Sequence, residues 1–239
     1  MARGDLNWCT MRNDNIPKPE FLVDFPKHGY RGDLFPDILP GSFPGHCLCV
    51  SRQFGARGGG IASKIAKKLG WQIYSHEILQ YMASNPVAKQ ELFDFAGTKI
   101  VDWVQDQWSR LVEERRISRI EEIEDLARVV LLLGCIGNTV FVGAGAGFLV
   151  PNPNRIHARI IAPFDDRASY ISQYDRLTLE DAKDKVRNSD ERRVEFLHGH
   201  FKAEMNEPYC YDLILNSSSL GEECTIQAII QATKVKYGF

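Results

Sequence analysis

The sequence predicts an α/β fold: a five-stranded parallel sheet sandwiched by helices, with a helical insertion and an extended N-terminal arm. Three observations predict it. Five short apolar runs alternate with stretches of helical periodicity, the pattern of parallel strands joined by crossover helices. One run lies inside the apolar stretch VVLLLGCIGNTVFVGAGAGFLV (129–150), which Gly134, Gly137 and Asn138 interrupt and Pro151 closes. It reads as a helix end, a turn and a strand buried on both faces, not as a membrane span. The third observation is a glycine cluster between the first strand and the first helix, in CLCVSRQFGARGGGIASKIAKKLGW (47–71).

Residues 1–45 form the arm. Pro17, Pro19, Pro26, Pro36, Pro40 and Pro44 exclude a long helix or a central strand. Phe21, Leu22, Val23, Phe25, Tyr30, Leu34, Phe35 and Ile38 are too apolar for a free linker. The arm is expected to lie on the domain or on a partner subunit. Residues 46–239 form the domain. Cys47 to Ser51 is its first strand, and Ile61, Ala62, Ile65, Ala66 and Leu69 give a helix that Gly70 stops. Trp71 to Tyr74 is the second strand, and Ser75 can cap the helix carrying HEILQYM.

The insertion spans about 87–133. Its apolar stripe runs from Ile100, Val101, Val104, Trp108, Leu111 and Val112 to Ile117, Ile120, Ile123, Leu126 and Ala127. Glu113, Glu114, Arg115 and Arg116 read as a solvated junction with pairing between turns. Strands follow at Thr139 to Val142 and Ile156 to Ala162, then a helix from Asp165 through Tyr174. Thr178-Leu179-Glu180-Asp181 resembles a capping box that opens a lid-like helical region over about 176–206. Tyr211 to Leu215 is the last strand, and Ser217, Ser218 and Ser219 are expected to cap the C-terminal helix.

Composition narrows the function. A hydrophobic fraction of 44% and a charged fraction of 25% are globular values, and a net charge of −2 argues against nucleic acid as the main partner. The six cysteines show no CxxC and no framework, so they read as reduced thiols of a cytoplasmic protein. His198-Gly199-His200 lacks a third ligand at fixed spacing, so no metal site is predicted. The chemistry centres on the glycine loop. Glycines between a strand and a helix let backbone N–H groups converge on an anion at the positive helix end. The candidate anion-binding residues are Arg52, Gly55, Ala56, Arg57, Gly58, Gly59, Gly60 and Ile61. A standard phosphate loop carries a lysine and a hydroxyl. Here the lysine position falls at Gly58 and the hydroxyl position at Gly60, leaving Arg52 and Arg57 as the nearby cations.

SRQFG, KKLGW, IYSHEIL, VFVGAGA, IIAPFDDRASYI, Asp190-x-x-Arg193 and YDLILNSSSL occur in an order that resembles the cytidylate kinase-like family, within the P-loop nucleoside-monophosphate kinase superfamily. The resemblance runs from Cys47 to about Ala232. It implies an ATP donor in the glycine loop, Mg²⁺ and a small-molecule nucleotide as acceptor; apart from the resemblance, the insertion and the arm each leave room for a homodimer contact. The resemblance also implies that Arg167 holds the acceptor phosphate and that Asp190 and Arg193 contact the acceptor's sugar and phosphate, with Arg187, His76 and Glu77 near it. Arg57, Arg167 and Arg193 are thereby the expected catalytic cations, Arg57 as compensator for the lysine. Three positions depart from the family pattern: GARGGG replaces GSGG plus a basic residue, Ala144 stands where GRGA has arginine, and Ser75 replaces an acidic residue. A catalytically inactive nucleotide- or anion-binding relative is therefore the alternative.

Overall fold

The computed structural model describes residues 45–239; the proline-rich arm lies outside the described residues. Five strands, β1 (Cys47–Arg52), β2 (Gln72–Ser75), β3 (Thr139–Val142), β4 (Arg155–Ile161) and β5 (Leu213–Asn216), form one sheet in the order β2-β3-β1-β4-β5. Every pairing is parallel, with Cys47 facing Thr139 on one side and Arg155 on the other. The central strands read CLCV and TVFV because a parallel sheet is covered on both faces and tolerates apolar side chains at every position.

One face is covered by α1 (Gly58–Leu69) and α10 (Glu222–Tyr237). Leu48, Val50, Val140, Val142, Ile156, Ala158 and Ile160 meet Ile61, Ile65, Ile226 and Ile229 there in the main core. Each buried aliphatic side chain contributes about 1.5–3 kcal/mol, so this layer fixes where α1, and hence its N-terminus, sits. The opposite face carries α5 (Glu121–Ile136) and the one-turn α6 (Ala146–Leu149). α5 is backed by α2 (His76–Ser84), α3 (Pro86–Ala96) and α4 (Thr98–Glu113). The predicted insertion is thus three helices. Pro86 starts α3 behind an Asn85 cap, and Gly97 at φ 74° separates α3 from α4. Ile100, Val104, Trp108 and Leu111 are buried as the stripe predicts, but Ile120 is exposed because it precedes α5 as its N-cap.

α7 (Phe164–Asp175) and α8 (Leu179–Phe201) follow β4 as a packed pair. Thr178 caps α8 as predicted, its Oγ1 accepting from the Asp181 amide at 3.2 Å. The serine triplet departs from expectation. Ser217–Leu220 form a separate turn, α9, capped by Asn216, whose Oδ1 accepts from the Ser218 and Ser219 amides. Gly221, not a serine, is the N-cap of α10. Ser217 is instead buried, its hydroxyl placed to donate to the Ala56 and Ile161 carbonyls. Among the described residues no helix is long and apolar enough to cross a membrane. Cys47, Cys49 and Cys135 are buried free thiols, while Cys224 is exposed.

β4 brings polar groups into the interior. His157 is fully buried, with Nδ1 2.9 Å from the Cys210 carbonyl and Nε2 2.8 Å from Ser51 Oγ. A carbonyl only accepts, so Nδ1 bears the proton and Nε2 accepts from the serine hydroxyl. Burial, then Arg155, drives the His157 pKa down to about 3 against the pull of the Cys210 carbonyl. The unfolded chain therefore takes up this proton first as pH falls. The neutral ring's contribution is fully present above about pH 6.5 and is lost on descent towards the native value, about 2 kcal/mol by pH 5. Urea midpoints should fall accordingly between pH 7 and pH 5, while the His157 ring resonance stays flat in NMR over that range. A ring that titrates near 6.5 rules this out.

Candidate functional site

The glycine loop spans residues 53–57, between the end of β1 and the first turn of α1. It turns at Gly55, φ 83°, and ends at Arg57, the N-cap of α1, in the left-handed region at φ 59°. No side chain caps α1 and its first turn holds no acidic residue, so its N-terminal amides are open to an anion. Gly59 and Gly60 have open space where a Cβ would stand, whereas Ala56 and Ile61 are buried against the core.

The two loop arginines are placed differently. Arg57 is exposed, and its guanidinium lies 5.0 Å from the ring centroid of Tyr170 on α7. The left-handed backbone at this residue turns its side chain to α7, which spacing in the sequence cannot show. Arg52, the last residue of β1, runs across the loop's base. A Cβ on Gly58 would stand 2.7 Å from Arg52 Cβ, and one on Gly143 would stand 2.5 Å from Arg52 Nη1. The arginine stem therefore occupies the place of a side chain at the lysine position. Its guanidinium reaches the end of β3, one residue from Ala144. Burial lowers the Arg52 pKa, with Glu77 pulling it back up.

Arg193, on α8, completes the cationic cluster. Its Nη1 is 3.4 Å from the Arg52 carbonyl and its guanidinium lies over the Phe54 ring at 5.3 Å. Burial first and then Arg52 push its pKa down, while Asp190 and Glu77 oppose them. His76 and Glu77 open α2 at the same mouth. Burial lowers the His76 pKa. Burial works against the Glu77 carboxylate, but the Ser75 hydroxyl, a backbone amide, His76 and Arg52 hold its pKa below the usual value. Four elements, β1, α1, α2 and α8, thus deliver Arg52, the α1 amides, His76, Glu77 and Arg193 to the C-terminal edge of the sheet.

Arg167 and Asp190 are brought together for another task. Asp190 Oδ1 accepts from the Phe54 amide at 2.8 Å and Oδ2 from Arg167 Nη1 at 2.5 Å. Arg167 also donates to the Phe54 carbonyl through Nη1 and to the Ala162 carbonyl through Nε, both at 3.0 Å. Its side chain is only 7% exposed. The pair fastens α8 and α7 to the glycine loop, so Arg167 is a brace in this arrangement and not the open phosphate ligand expected from sequence. Arg187 pairs with Asp184 at 2.7 Å and lies 5.2 Å from the Phe164 ring, on the outer side of α8. His198 lies 3.5 Å from Glu204 and His200 3.1 Å from Ser118, so the two histidines point to different partners.

Gln53, Arg159 and Tyr211 are site neighbours that the sequence reading missed. Gln53 Oε1 accepts from the Ala162 amide at 3.1 Å, and Arg159 Nη1 donates to Tyr211 at 2.9 Å. Gln53, Arg159, Asp190 and Asn206 line a cleft of about 400 Å³ beside the loop. The signal was available: in RIHARII, His157 and Arg159 are two apart, so they share one face of a strand otherwise built for burial.

Strand order, the glycine loop between β1 and α1, and a helix braced against that loop define the class: this is the fold of the P-loop kinases. The model of the cytidylate kinase-like family matches residues 47–219, and the chain belongs to that family. Among solved structures it is similar to an uncharacterized protein from Eubacterium ventriosum ATCC 27560, with 18% identity and a TM-score of 0.56. That alignment covers 79% of this chain and 98% of the other, and it shows the fold. More distant similarity extends to shikimate kinase from Bacteroides thetaiotaomicron: 13% identity, TM-score 0.42, 81% of this chain and 99% of that one. For dephospho-CoA kinase from Campylobacter jejuni the values are 15%, 0.32, 77% and 97%. No curated protein sequence matches the chain.

Proposed function

We propose that the protein transfers a phosphoryl group from ATP to a nucleoside monophosphate, with cytidylate as the first acceptor to test. The observation that carries this reading is the convergence of Arg52, Arg193 and the open α1 N-terminus at one edge of a parallel sheet. Phosphoryl transfer asks for positioning and charge neutralisation more than for covalent chemistry. Backbone amides of the loop would take the donor phosphates. Arg193, carried by α8, would neutralise the transferred group and help exclude water. Arg167 and Asp190 would act indirectly, by holding the loop's shape. His76 and Glu77 stand where an acceptor sugar or base would lie. The acceptor is a free nucleotide and not nucleic acid, and the setting we infer is the cytoplasm.

The residues do not fit a loop-held Mg²⁺: Gly60 has no hydroxyl, and the Ser51 hydroxyl is committed to His157. The arginines and amides therefore carry the charge argument alone. A second reading is favoured by a specific observation, the joint absence of the loop lysine at Gly58, the family arginine at Ala144 and the acidic residue at Ser75. It is a relative that binds nucleotide as a regulator or assembly subunit without turning it over.

Thermal shift over a nucleotide panel, with and without Mg²⁺, followed by a coupled ADP-release assay, separates the two. The kinase reading expects ATP to raise Tm and CMP to stimulate ADP release. ATP stabilisation without turnover on any acceptor supports the second reading. Absence of stabilisation by any nucleotide rejects both.

A further inference from the structure

We propose that Arg52 supplies the positive charge that the phosphate loop lacks at Gly58, acting from the end of β1 and not from the first turn of α1. The inference rests on the phosphotransfer reading and names the residue that makes a lysine-free loop able to grip a polyphosphate.

Two glycines make room for it. The Arg52 stem lies against Gly58, where any Cβ would meet Arg52 Cβ at 2.7 Å. Its guanidinium lies against Gly143, where a Cβ would meet Nη1 at 2.5 Å. Gly143 stands at φ 79°, and its amide donates to the Val50 carbonyl, so the end of β3 is fixed close to β1. A lysine at position 58 and an arginine at position 52 cannot coexist in this geometry. Gly58 is thus the counterpart of Arg52, and the charge has changed position in the chain while staying at the same edge of the sheet. The guanidinium lies against Gly143, the residue before Ala144, where the family pattern has arginine, so one side chain serves the neighbourhood of both missing cations.

The group is available for a ligand. Arg52 is half-buried, and among the described residues its guanidinium makes no hydrogen bond and no ion pair within 4.0 Å. A structural arginine at such depth normally has a carboxylate. Here the carboxylate that acts on it, Glu77, forms no ion pair with it within 4.0 Å among the described residues, and a second arginine, Arg193, is also its neighbour. Two guanidinium groups drawn together beside an uncapped helix N-terminus make an anion site. Arg57 lacks this placement, since it meets the Tyr170 ring.

The test moves the charge back. Tripolyphosphate and ATP are titrated against wild type, Arg52→Gln, Arg57→Gln and the double variant Arg52→Gly with Gly58→Lys, reading Tm and calorimetric affinity. Arg52→Gln is expected to weaken tripolyphosphate on the order of ten- to a hundredfold, the worth of one charge-assisted contact. The double variant, whose lysine has the space that Arg52 vacated, is expected to recover most of that loss. The ligand-free Tm of each variant, and Arg52→Lys as a charge-keeping partner, separate lost binding from lost folding. Wild-type binding that Arg52→Gln leaves within about twofold overturns the proposal and leaves the kinase reading standing. So does loss of binding in Arg57→Gln instead. Failure of wild type itself to bind either ligand overturns both.

Discussion

Asp190→Ala is expected to destabilise the fold by about 3–5 kcal/mol, the usual cost of orphaning one member of a buried ion pair. The argument starts from burial. Arg167 is buried, its side chain 7% exposed, with Asp190 Oδ2 at 2.5 Å as its carboxylate partner. Its other acceptors, the Phe54 and Ala162 carbonyls, are neutral and cannot replace that charge. Alanine also removes the acceptor of the Phe54 amide, leaving a loop donor unsatisfied. Both losses fall on the glycine loop, so stability and phosphate affinity should drop together. Asp190→Asn keeps an oxygen for the Phe54 amide and should cost less than alanine. The control is Arg167→Met with Asp190→Leu. If the cost is the orphaned guanidinium, apolar replacement of both partners recovers most of the stability, while the loop remains unbraced and phosphate affinity stays low. Urea unfolding of the four proteins decides it. A loss below about 1 kcal/mol in Asp190→Ala would show that the brace is an ordinary surface pair.

How far the sequence reveals such a brace depends on which forces set each feature. β1, α1 and the turn between them were legible because apolar runs, helical spacing and Gly70 all report local preferences. The helical middle is legible, with its junction near Glu113 to Arg116 between α4 and α5. The breaks at Asn85-Pro86 and Gly97 lie before the stripe begins at Ile100, so the stripe carries no sign of them. The serine triplet failed through competition between caps. Asn216 caps the triplet's own turn and Gly221 opens α10, which leaves Ser217 to meet two carbonyls in the interior. The site was legible as a set of residue types and illegible as an arrangement. Arg52 and Arg57 both lie near the loop in sequence, and only the left-handed turn at Arg57 and the two glycines around Arg52 divide their roles. Arg167 and Asp190 are 23 residues apart, and their engagement with each other depends on how α7 packs on α8. Spacing along the chain carries no record of that packing.

Arg193→Met should separate function from stability in a way the Asp190 variants cannot. Arg193 stands beside Arg52, and each guanidinium disfavours the charge of the other once both are removed from water. Asp190 at 3.7 Å and Glu77 offset part of this repulsion. Such a pair is costly in the free protein and favourable once an anion lies between the two groups. Methionine keeps much of the apolar stem over the Phe54 ring while removing the charge. The ligand-free protein is therefore expected to unfold within about 1 kcal/mol of wild type, on either side, because the relieved repulsion from Arg52 offsets the lost contacts to Asp190 and the Arg52 carbonyl. Turnover, by contrast, is expected to fall roughly a hundred- to a thousandfold, the usual cost of one preorganised transition-state donor. The Tm increment produced by ATP should shrink as well, because the ground-state phosphate loses a cation. The decisive comparison plots the ATP-induced Tm shift and kcat against ligand-free stability for Arg193→Met, Arg193→Lys and wild type. A structural role predicts that all three quantities fall together. A phosphate-binding role predicts preserved stability, lost turnover, and partial recovery with lysine, which restores charge without the planar fork. Loss of stability on the scale of Asp190→Ala would move Arg193 from the site into the brace.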